Sequence, residues 1–197
     1  MTSAIWLASN IGAAAISVGD DLRQRVVEIG SGRGFGAGTI WDPAGLIVTN
    51  HHVAATDLVR VRFDDGATAE ARVLARDLHN DLAVLQVDRT GLPAVEQRNG
   101  RDLRVGELVM ALGHPHGPSG AVAFGVLLTT DTRTGDGRRA LIRADVGLAP
   151  GNSGGPLADA AGRVIGINAM VGGGLALAVP VQFAENLVQA VIGQRAA

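Results

Sequence analysis

Short apolar runs separated by turn-forming residues recur along most of this chain. Residues Val59–Phe63 alternate strictly between apolar and charged side chains, whereas Leu46–Thr49 and Leu82–Val87 are mainly apolar. Turn signals such as Asp42–Gly45 and Asp64–Gly66 recur about every 8–12 residues, a spacing typical of antiparallel barrels and sandwiches. The pattern therefore predicts an all-β fold of short antiparallel strands.

The strand pattern lapses between Asp88 and Leu103, and this stretch divides the chain into two halves of similar style. We interpret the halves as two antiparallel six-stranded β-barrels, at about residues 21–95 and 103–180. Residues 1–20 are a separate amino-terminal segment, a short helix or an arm. Only residues 181–194 have helical spacing, which predicts a C-terminal helix that packs one face, formed by Phe183, Leu187, Val188, Val191 and Ile192.

Composition narrows the possible functions. The chain has 197 residues, of which 47% are hydrophobic, and its net charge of −2 is dispersed, which disfavours a nucleic-acid-binding or polybasic membrane surface. All 17 basic residues are arginine, which excludes lysine nucleophiles, and the absence of cysteine excludes thiol nucleophiles and disulfides. No apolar run is long enough to predict a membrane span. A catalytic base must therefore be a histidine or a carboxylate.

The segment Gly151–Pro156 places Ser153 among glycines, between a loop and an apolar run. A serine hydroxyl is a weak nucleophile until a base takes its proton, and the attacked carbonyl needs N–H donors for its developing negative charge. Glycines allow a substrate to approach the backbone closely because they carry no Cβ. An ordinary glycine-rich turn has the same composition, so both interpretations stay open for this segment alone.

Two further residues have the chemistry that a serine nucleophile needs. His52 follows the run Leu46–Thr49, and the ordinary pKa of an imidazole, about 6.5, suits a general base near neutral pH. Asp81 stands at the start of the run Leu82–Val87, where a histidine N–H would offset the cost of burying a carboxylate. A surface histidine and a turn-capping aspartate are the alternatives for each residue alone. The order His, Asp, Ser is that of chymotrypsin-like enzymes.

Three motifs together resemble the protease domain of the HtrA (Deg) group of trypsin-like serine endopeptidases. They are Thr-Asn-His-His-Val at residues 49–53, Asn-Asp-Leu-Ala-Val-Leu at 80–85, and Ala-Pro-Gly-Asn-Ser-Gly-Gly-Pro-Leu at 149–157. The resemblance covers roughly residues 25–190 and implies a chymotrypsin-like protease domain over residues 21–197. It also implies an endopeptidase that acts on unfolded or flexible polypeptides and needs no cofactor or metal ion.

The resemblance implies a role for each residue of a catalytic triad. Ser153 attacks the peptide carbonyl, His52 transfers the proton as base and then as acid, and Asp81 holds the imidazole tautomer. The family motif selects His52 over the adjacent His51, a choice that chemistry alone leaves open. The backbone N–H groups of Gly151 and Ser153 are expected to form the oxyanion hole.

The primary specificity pocket is expected to be aliphatic. In the chymotrypsin-like arrangement its walls come from the loop before the nucleophile and the strand after it, which here supply Leu148, Met170 and Leu175. Gly147 stands six residues before Ser153, where trypsin-like enzymes that cut after Arg or Lys carry an aspartate. An unpaired cation would lose its hydration in such a pocket, so small or medium aliphatic side chains are predicted before the cleaved bond.

The resemblance also has an implication for assembly, and the amino-terminal residues have one for location. Members of the group are often trimers held by their amino-terminal segments, which implies a homo-oligomer. The chain stops after its predicted terminal helix, so no PDZ domain, which most of the group carry, is expected within it. The apolar start lacks the basic residues of a signal peptide. This predicts a cytoplasmic location for the chain as written, and a periplasmic or secreted one for a domain excised from a longer protein.

Two functions compete with that of an endopeptidase. One is a catalytically silent, chaperone-like or peptide-binding protein on the same fold, against which the intact His52, Asp81 and Ser153 argue. The other is a hydrolase of small esters or amides that uses the same triad. His114 and His116 also suggest a metal site, but no cysteine or acidic cluster accompanies them, and a surface turn is the preferred interpretation.

Overall fold

The computed structural model describes residues 2–31, 34–114, 121–133 and 140–195. The strands of the first half are β1 (Val26–Ser31), β2 (Gly34–Asp42), β3 (Leu46–Thr49), β4 (Leu58–Arg62), β5 (Thr68–Asp77) and β6 (Leu82–Val87). Those of the second half are β7 (Leu108–Gly113), β8 (Ala121–Arg133), β9 (Ala140–Asp145), β10 (Pro156–Asp159), β11 (Val164–Gly172) and β12 (Leu175–Pro180). The helices are α1 (Thr2–Arg23) and α2 (Val181–Arg195).

The twelve strands form two closed antiparallel barrels with the same strand order. Barrel 1 runs β1-β2-β3-β6-β5-β4, and barrel 2 repeats this order as β7-β8-β9-β12-β11-β10. The alternating strand β4 buries Val59 and Val61 and exposes Arg60, because successive side chains of a strand point to opposite faces. The predicted all-β class with two six-stranded barrels and a C-terminal helix is confirmed.

Aliphatic side chains fill each barrel and the junction between them. The interior of barrel 1 is formed mainly by β-branched residues, including Val27, Ile29, Ile40, Ile47, Val59 and Val61. The interior of barrel 2 combines Leu127, Ile142, Leu157 and Ile165 with alanines 111, 144, 176 and 178. A third cluster joins both barrels to α2 and includes Trp41, Val48, Val84, Ile167, Val179 and Val188.

Helix α2 closes this junction. Its buried side chains are spaced three and four residues apart, as expected for one helix face, and they are Val181, Ala184, Val188 and Val191. Phe183 and Leu187 are partly buried against the same cluster. The predicted face was wrong at Ile192, which is 41% exposed because it lies at the edge of the buried stripe in the last turns of the helix.

The amino-terminal segment forms helix α1, which continues to Arg23, beyond the predicted boundary at residue 20. Val18 and Leu22 pack on a cluster from both barrels that includes Ala37, Met110 and Leu112. Residues 10–14 are all exposed, and because they cover more than one turn, this part of α1 stands clear of the barrels. Among the helices of the described ranges, none combines the length and the apolar character that crossing a membrane requires.

Candidate active site

His52 and Asp81 lie at one edge of barrel 1 because β3 and β6 are paired neighbours, with Thr49 opposite Ala83. The turn that carries His52 is fixed by the buried Asn50. The carbonyl of Asn50 accepts the N–H groups of residues 53 and 54, both at 3.2 Å, and its side-chain amide donates to the Asp81 carbonyl at 2.9 Å. The turn after β3 is therefore bonded directly to the residue that precedes β6.

Asp81 binds His52 through both carboxylate oxygens. Its Oδ2 lies 2.7 Å from Nδ1 of the His52 ring, and its Oδ1 accepts the His52 backbone N–H at 3.0 Å. The Asp81 side chain is only 10% exposed, whereas that of His52 is 49% exposed. A buried carboxylate beside Nδ1 favours the tautomer that carries its proton there, which leaves Nε2 free to accept another.

Asp81 adopts a backbone conformation that is unusual for its residue type. Its φ of 57° makes it the single non-glycine residue with positive φ in the described part of the chain. Such a conformation costs about 1–3 kcal/mol and persists where surrounding contacts fix it. Here the contacts are the two bonds to His52 and two bonds to the Asp81 carbonyl, from Asn50 and from the N–H of His51 at 3.1 Å.

Ser153 lies in the loop that enters β10 of barrel 2. Two glycines of this loop have positive φ, 103° at Gly151 and 87° at Gly154, which only glycine adopts without a steric penalty. The loop is also hydrogen-bonded to β11, since the Gly154 N–H donates to the Asn168 carbonyl at 2.8 Å and the Asn168 N–H donates to the Gly155 carbonyl at 2.9 Å. Backbone bonds therefore set the position of the serine.

The hydroxyl of Ser153 is hydrogen-bonded to a backbone carbonyl, and no hydrogen bond joins it to His52 within the described ranges. Its Oγ donates a hydrogen bond to the carbonyl of Ala169 on β11, at 2.9 Å. The structure thus joins His52 to Asp81, and it places Ser153 on the facing barrel with its hydroxyl bound to a different acceptor. Proton transfer from Ser153 to His52 requires the hydroxyl to leave the Ala169 carbonyl.

The expected oxyanion donors belong to this same loop. Neither the Gly151 N–H nor the Ser153 N–H donates to a carbonyl within the described ranges, whereas the Asn152 N–H between them donates to Ala149 at 3.1 Å. The Gly151 carbonyl is held by the N–H of His114 at 3.0 Å. Two backbone donors that flank one turn, without an intramolecular acceptor, provide the type of site that a developing oxyanion needs.

A cleft of about 330 Å³ opens beside Ser153. Of the three residues predicted to form the pocket, Leu148 and Met170 line this cleft and Leu175 does not. Leu175 instead pairs with Gly172 at the start of β12. The remaining lining residues were missed by sequence reasoning: Ala149, Pro150, Asn152, Ala169 and Val171. A register shift between Asn168 and Met170 breaks the alternation of β11, so that consecutive residues 169–171 reach the same cleft.

The predicted surface position of the second histidine pair was wrong for His114, which is only 6% exposed because it follows β7 directly and its N–H binds the serine loop at the Gly151 carbonyl. His116 lies outside the described residues. Within the described ranges, no three His, Asp or Glu side chains are grouped closely enough to hold a metal ion.

The chain is similar in sequence to known proteases. The family model described as a trypsin-like peptidase domain matches residues 36–167. A probable periplasmic serine endoprotease DegP-like of Pseudomonas savastanoi pv. phaseolicola is 37% identical over 166 residues, which are 78% of this chain and 34% of that protein. The putative serine protease HhoB of Synechocystis sp. is 35% identical over 166 residues, which are 80% of this chain and 40% of that protein.

The structure is likewise similar to solved protease structures. The HtrA-type protease AlgW with tripeptide is 31% identical and superposes with a TM-score of 0.83, over 91% of this chain and 63% of that one. The chain therefore spans well under half the length of the curated relatives named above, and most of the AlgW chain.

Proposed function

This chain belongs to the HtrA-type trypsin-like peptidases, and on that basis we propose that it is a serine endopeptidase that hydrolyses peptide bonds of unfolded or flexible proteins. The predicted resemblance is confirmed at the level of the family. One observation supports the catalytic assignment above others, namely that the Asp81 carboxylate binds both the ring Nδ1 and the backbone N–H of His52. Such an orienting acid is what a histidine base needs.

In the proposed mechanism the Ser153 Oγ attacks the carbonyl carbon of the peptide bond while His52 Nε2 accepts the hydroxyl proton. The carbonyl oxygen takes the negative charge, and the N–H groups of Gly151 and Ser153 donate to it. His52 then gives its proton to the amine nitrogen as the C–N bond breaks, which leaves an ester of Ser153. A water molecule, deprotonated by His52, hydrolyses this ester and restores the serine.

The substrate preference follows from the cleft beside Ser153. The aliphatic groups of Leu148, Met170 and Val171 line it, and none of the described residues that line it carries a charged side chain. We propose that it receives a small or medium aliphatic side chain from the residue before the cleaved bond. Burial of such a side chain contributes about 0.8 kcal/mol per methylene, whereas an unpaired cation or anion would lose its hydration.

A fluorophosphonate probe tests the proposal because it reacts only with an activated serine. The expected result is labelling at Ser153, located by peptide mass spectrometry, together with cleavage of casein. The variant Ser153→Ala should lose both while its circular dichroism spectrum and melting temperature stay unchanged. Labelling and ester hydrolysis without cleavage of any protein would contradict the endopeptidase and favour a hydrolase of small esters.

A catalytically silent, chaperone-like or peptide-binding protein is the second candidate function. The observation that favours it is the hydrogen bond from Ser153 Oγ to the Ala169 carbonyl, which occupies the hydroxyl proton that the mechanism requires His52 to accept. This candidate predicts no fluorophosphonate labelling, together with suppression of the aggregation of an unfolded protein. That suppression should be equal in the unmodified chain and in Ser153→Ala.

We also propose a homo-oligomer, a trimer by family resemblance, and a location outside the cytoplasm. The relative from Pseudomonas savastanoi is named as periplasmic, which is the support for the location. Light scattering of the purified protein tests the first proposal. Fractionation of expressing cells tests the second.

A further inference from the structure

The serine loop of barrel 2 is hydrogen-bonded to strand β2 of barrel 1 at two consecutive carbonyls. The carbonyl of Ser153 accepts the N–H of Ala37 at 2.8 Å. The carbonyl of Gly154 accepts the hydroxyl of Thr39 at 3.2 Å. The two peptide groups that follow the nucleophile are therefore attached to the barrel that carries His52 and Asp81, and not only to their own.

A second hydroxyl continues this connection towards His52. The Oγ1 of Thr49, the last residue of β3, donates to the Ala37 carbonyl at 2.6 Å. The Ala37 peptide is thus fixed by Thr49 on one side and binds Ser153 on the other. Since Thr49 is three residues before His52, one short chain of contacts leads from the histidine turn to the serine loop.

Both threonines are fully buried, with 0% exposure. A buried hydroxyl is costly unless it is hydrogen-bonded, and a valine would have the same shape without that cost. Packing alone therefore does not explain a hydroxyl at either position. The hydrogen bond that Thr39 donates ends on the Gly154 carbonyl of the serine loop. The one that Thr49 donates ends on the Ala37 carbonyl of β2, and the N–H of Ala37 in turn bonds the Ser153 carbonyl.

The contact between β2 and the serine loop leaves no space for a side chain between the two backbones. A Cβ on Gly154 would lie 2.0 Å from the Ala37 carbonyl oxygen and 2.2 Å from Thr49 Oγ1. A Cβ on Gly36 would lie 2.5 Å from a methyl of Val53, the residue after His52, and 3.2 Å from the Ser153 carbonyl oxygen. The backbones of the two barrels meet directly at the nucleophile.

We propose that Thr39 and Thr49 are positioning residues that set the distance between the Ser153 hydroxyl and His52, an inference that rests on the proposed peptidase function. The base and the nucleophile belong to different barrels, so their separation depends on how the barrels are joined. The Thr39 hydroxyl joins them at the serine loop itself, and the Thr49 hydroxyl fixes the β2 peptide that binds the Ser153 carbonyl. A reacting group displaced by about 1 Å can cost on the order of a hundredfold in rate.

The test compares Thr39→Val with Thr39→Ser, because valine keeps the shape and serine keeps the hydroxyl. Active sites are counted with the fluorophosphonate, and kcat per titrated site and KM are measured on a peptide substrate well below the melting temperature. Thr39→Val should lower kcat about tenfold and leave KM within about twofold, since Thr39 is not among the residues that line the cleft. Thr39→Ser should restore kcat to within about threefold of the unmodified protein.

Val61→Ala is the matched control, because Val61 is fully buried on β4 inside barrel 1 and does not line the cleft. It should lower the melting temperature and leave kcat per titrated site unchanged. Thr49→Val and Thr49→Ser repeat the comparison at the second hydroxyl. If Thr39→Val does not fold, the kcat values of these two variants test the positioning role.

Unchanged kcat in the valine variants, or an equal loss in Val61→Ala, would overturn the positioning role. A failure of serine to restore kcat would do the same. If the unmodified protein is not labelled at Ser153, the proposed peptidase function has failed instead. The two failures are therefore distinguished by the labelling of the unmodified chain.

Discussion

The two barrels have the same strand order but supply different components of the proposed site. In that proposal barrel 1 supplies the base and the acid that orients it, because the Asp81 carboxylate binds both the ring and the backbone N–H of His52. Barrel 2 supplies the serine on a loop of unusual backbone geometry, since Ser153 lies between glycines of positive φ and the N–H groups of Gly151 and Ser153 donate to no carbonyl within the described ranges. A substitution of His52 should therefore remove a reacting group, whereas a substitution of a glycine in the serine loop should displace one.

The interiors of the barrels differ as well. The β-branched residues of barrel 1 bury more apolar area than the alanines that form part of the interior of barrel 2. Barrel 2 has in addition a partly buried ion cluster around Arg98, which bonds Glu107 at 2.7 Å and Asp159 at 3.1 Å. The stability of barrel 2 is therefore expected to depend more on charge.

The largest effect should come from removing the base in barrel 1. His52→Ala should lower kcat by a factor on the order of 10⁶, as in other triads, with no loss of fold because half of its side chain is exposed. His51→Ala should leave most of the activity, since the backbone N–H of His51, and not its ring, bonds Asp81. The peptidase rates of both variants check this, and an inactive His51→Ala beside an active His52→Ala would show that the base has been misassigned.

The second effect concerns backbone geometry in barrel 2. Gly154 and Gly66 have similar positive φ values, 87° and 82°, but a Cβ has no room at Gly154 and meets nothing within 4 Å at Gly66. Gly66→Ala should cost about 1–2 kcal/mol of unfolding free energy and leave activity unchanged. Gly154→Ala should lose about a hundredfold or more in kcat, because the serine loop must move away from β2.

Urea unfolding and peptidase rates of these two variants measure both quantities. If Gly66→Ala and Gly154→Ala lost the same amount of activity, the backbone geometry of the serine loop in barrel 2 would have no special role. Unaltered kcat in Gly154→Ala would also contradict such a role, since the expected displacement of the loop would then have no consequence.

The alternation of apolar and polar residues was sufficient to predict most of the fold. The strands β3 and β6 have the predicted limits, because each apolar run is bounded by residues that favour turns. The pairing of His52 with Asp81 was predicted from the motifs shared with the family, since the chemistry of each residue alone left a surface histidine and a turn-capping aspartate open. The strand signal is local in the sequence, whereas the pairing required the resemblance.

The remaining features depend on distances that no local pattern encodes. The bulge in β11 decides that Val171 reaches the cleft and that Leu175 does not. The bonds of Thr39 to Gly154 and of Ala37 to Ser153 join residues that are far apart in the chain, and threonine is common in any strand. The rotamer of Ser153 is set by an acceptor on another strand. These features required the assembled barrels.

A smaller effect is expected in the specificity of the cleft. Val, Ala, Ile or Leu before the cleaved bond should be preferred by roughly tenfold to a few hundredfold over polar residues, because each buried methylene contributes only about 0.8 kcal/mol. Digestion of a peptide library measures the preference. Predominant cleavage after Arg, Lys, Asp or Glu would show that a charge from outside the described lining reaches the cleft.

The smallest effect concerns the ion cluster of barrel 2, and it disappears in acid. The Arg98 guanidinium donates to Glu107, and this bond, with a weaker one from Arg104, lowers the pKa of the Glu107 carboxyl from 4.5 to about 2. Because the pKa is lower in the folded state, this carboxylate stabilises the protein above pH 4.5 and the contribution is lost as the pH falls towards 2.

The substitution Glu107→Gln should therefore lower the free energy of unfolding at pH 7, and the difference from the unmodified protein should narrow as the pH falls from 4.5 towards 2. Urea unfolding at several pH values measures this difference. Glu28→Gln, which breaks the 2.6 Å ion pair with Arg62 in barrel 1, is the matched control and should keep the acid-induced loss that Glu107 causes. An offset between Glu107→Gln and the unmodified chain that stays constant between pH 7 and pH 2 would show that the charge of Glu107 does not stabilise barrel 2. The two barrels would then not differ in their dependence on charge, and the smaller interior of barrel 2 would have to be compensated by packing alone.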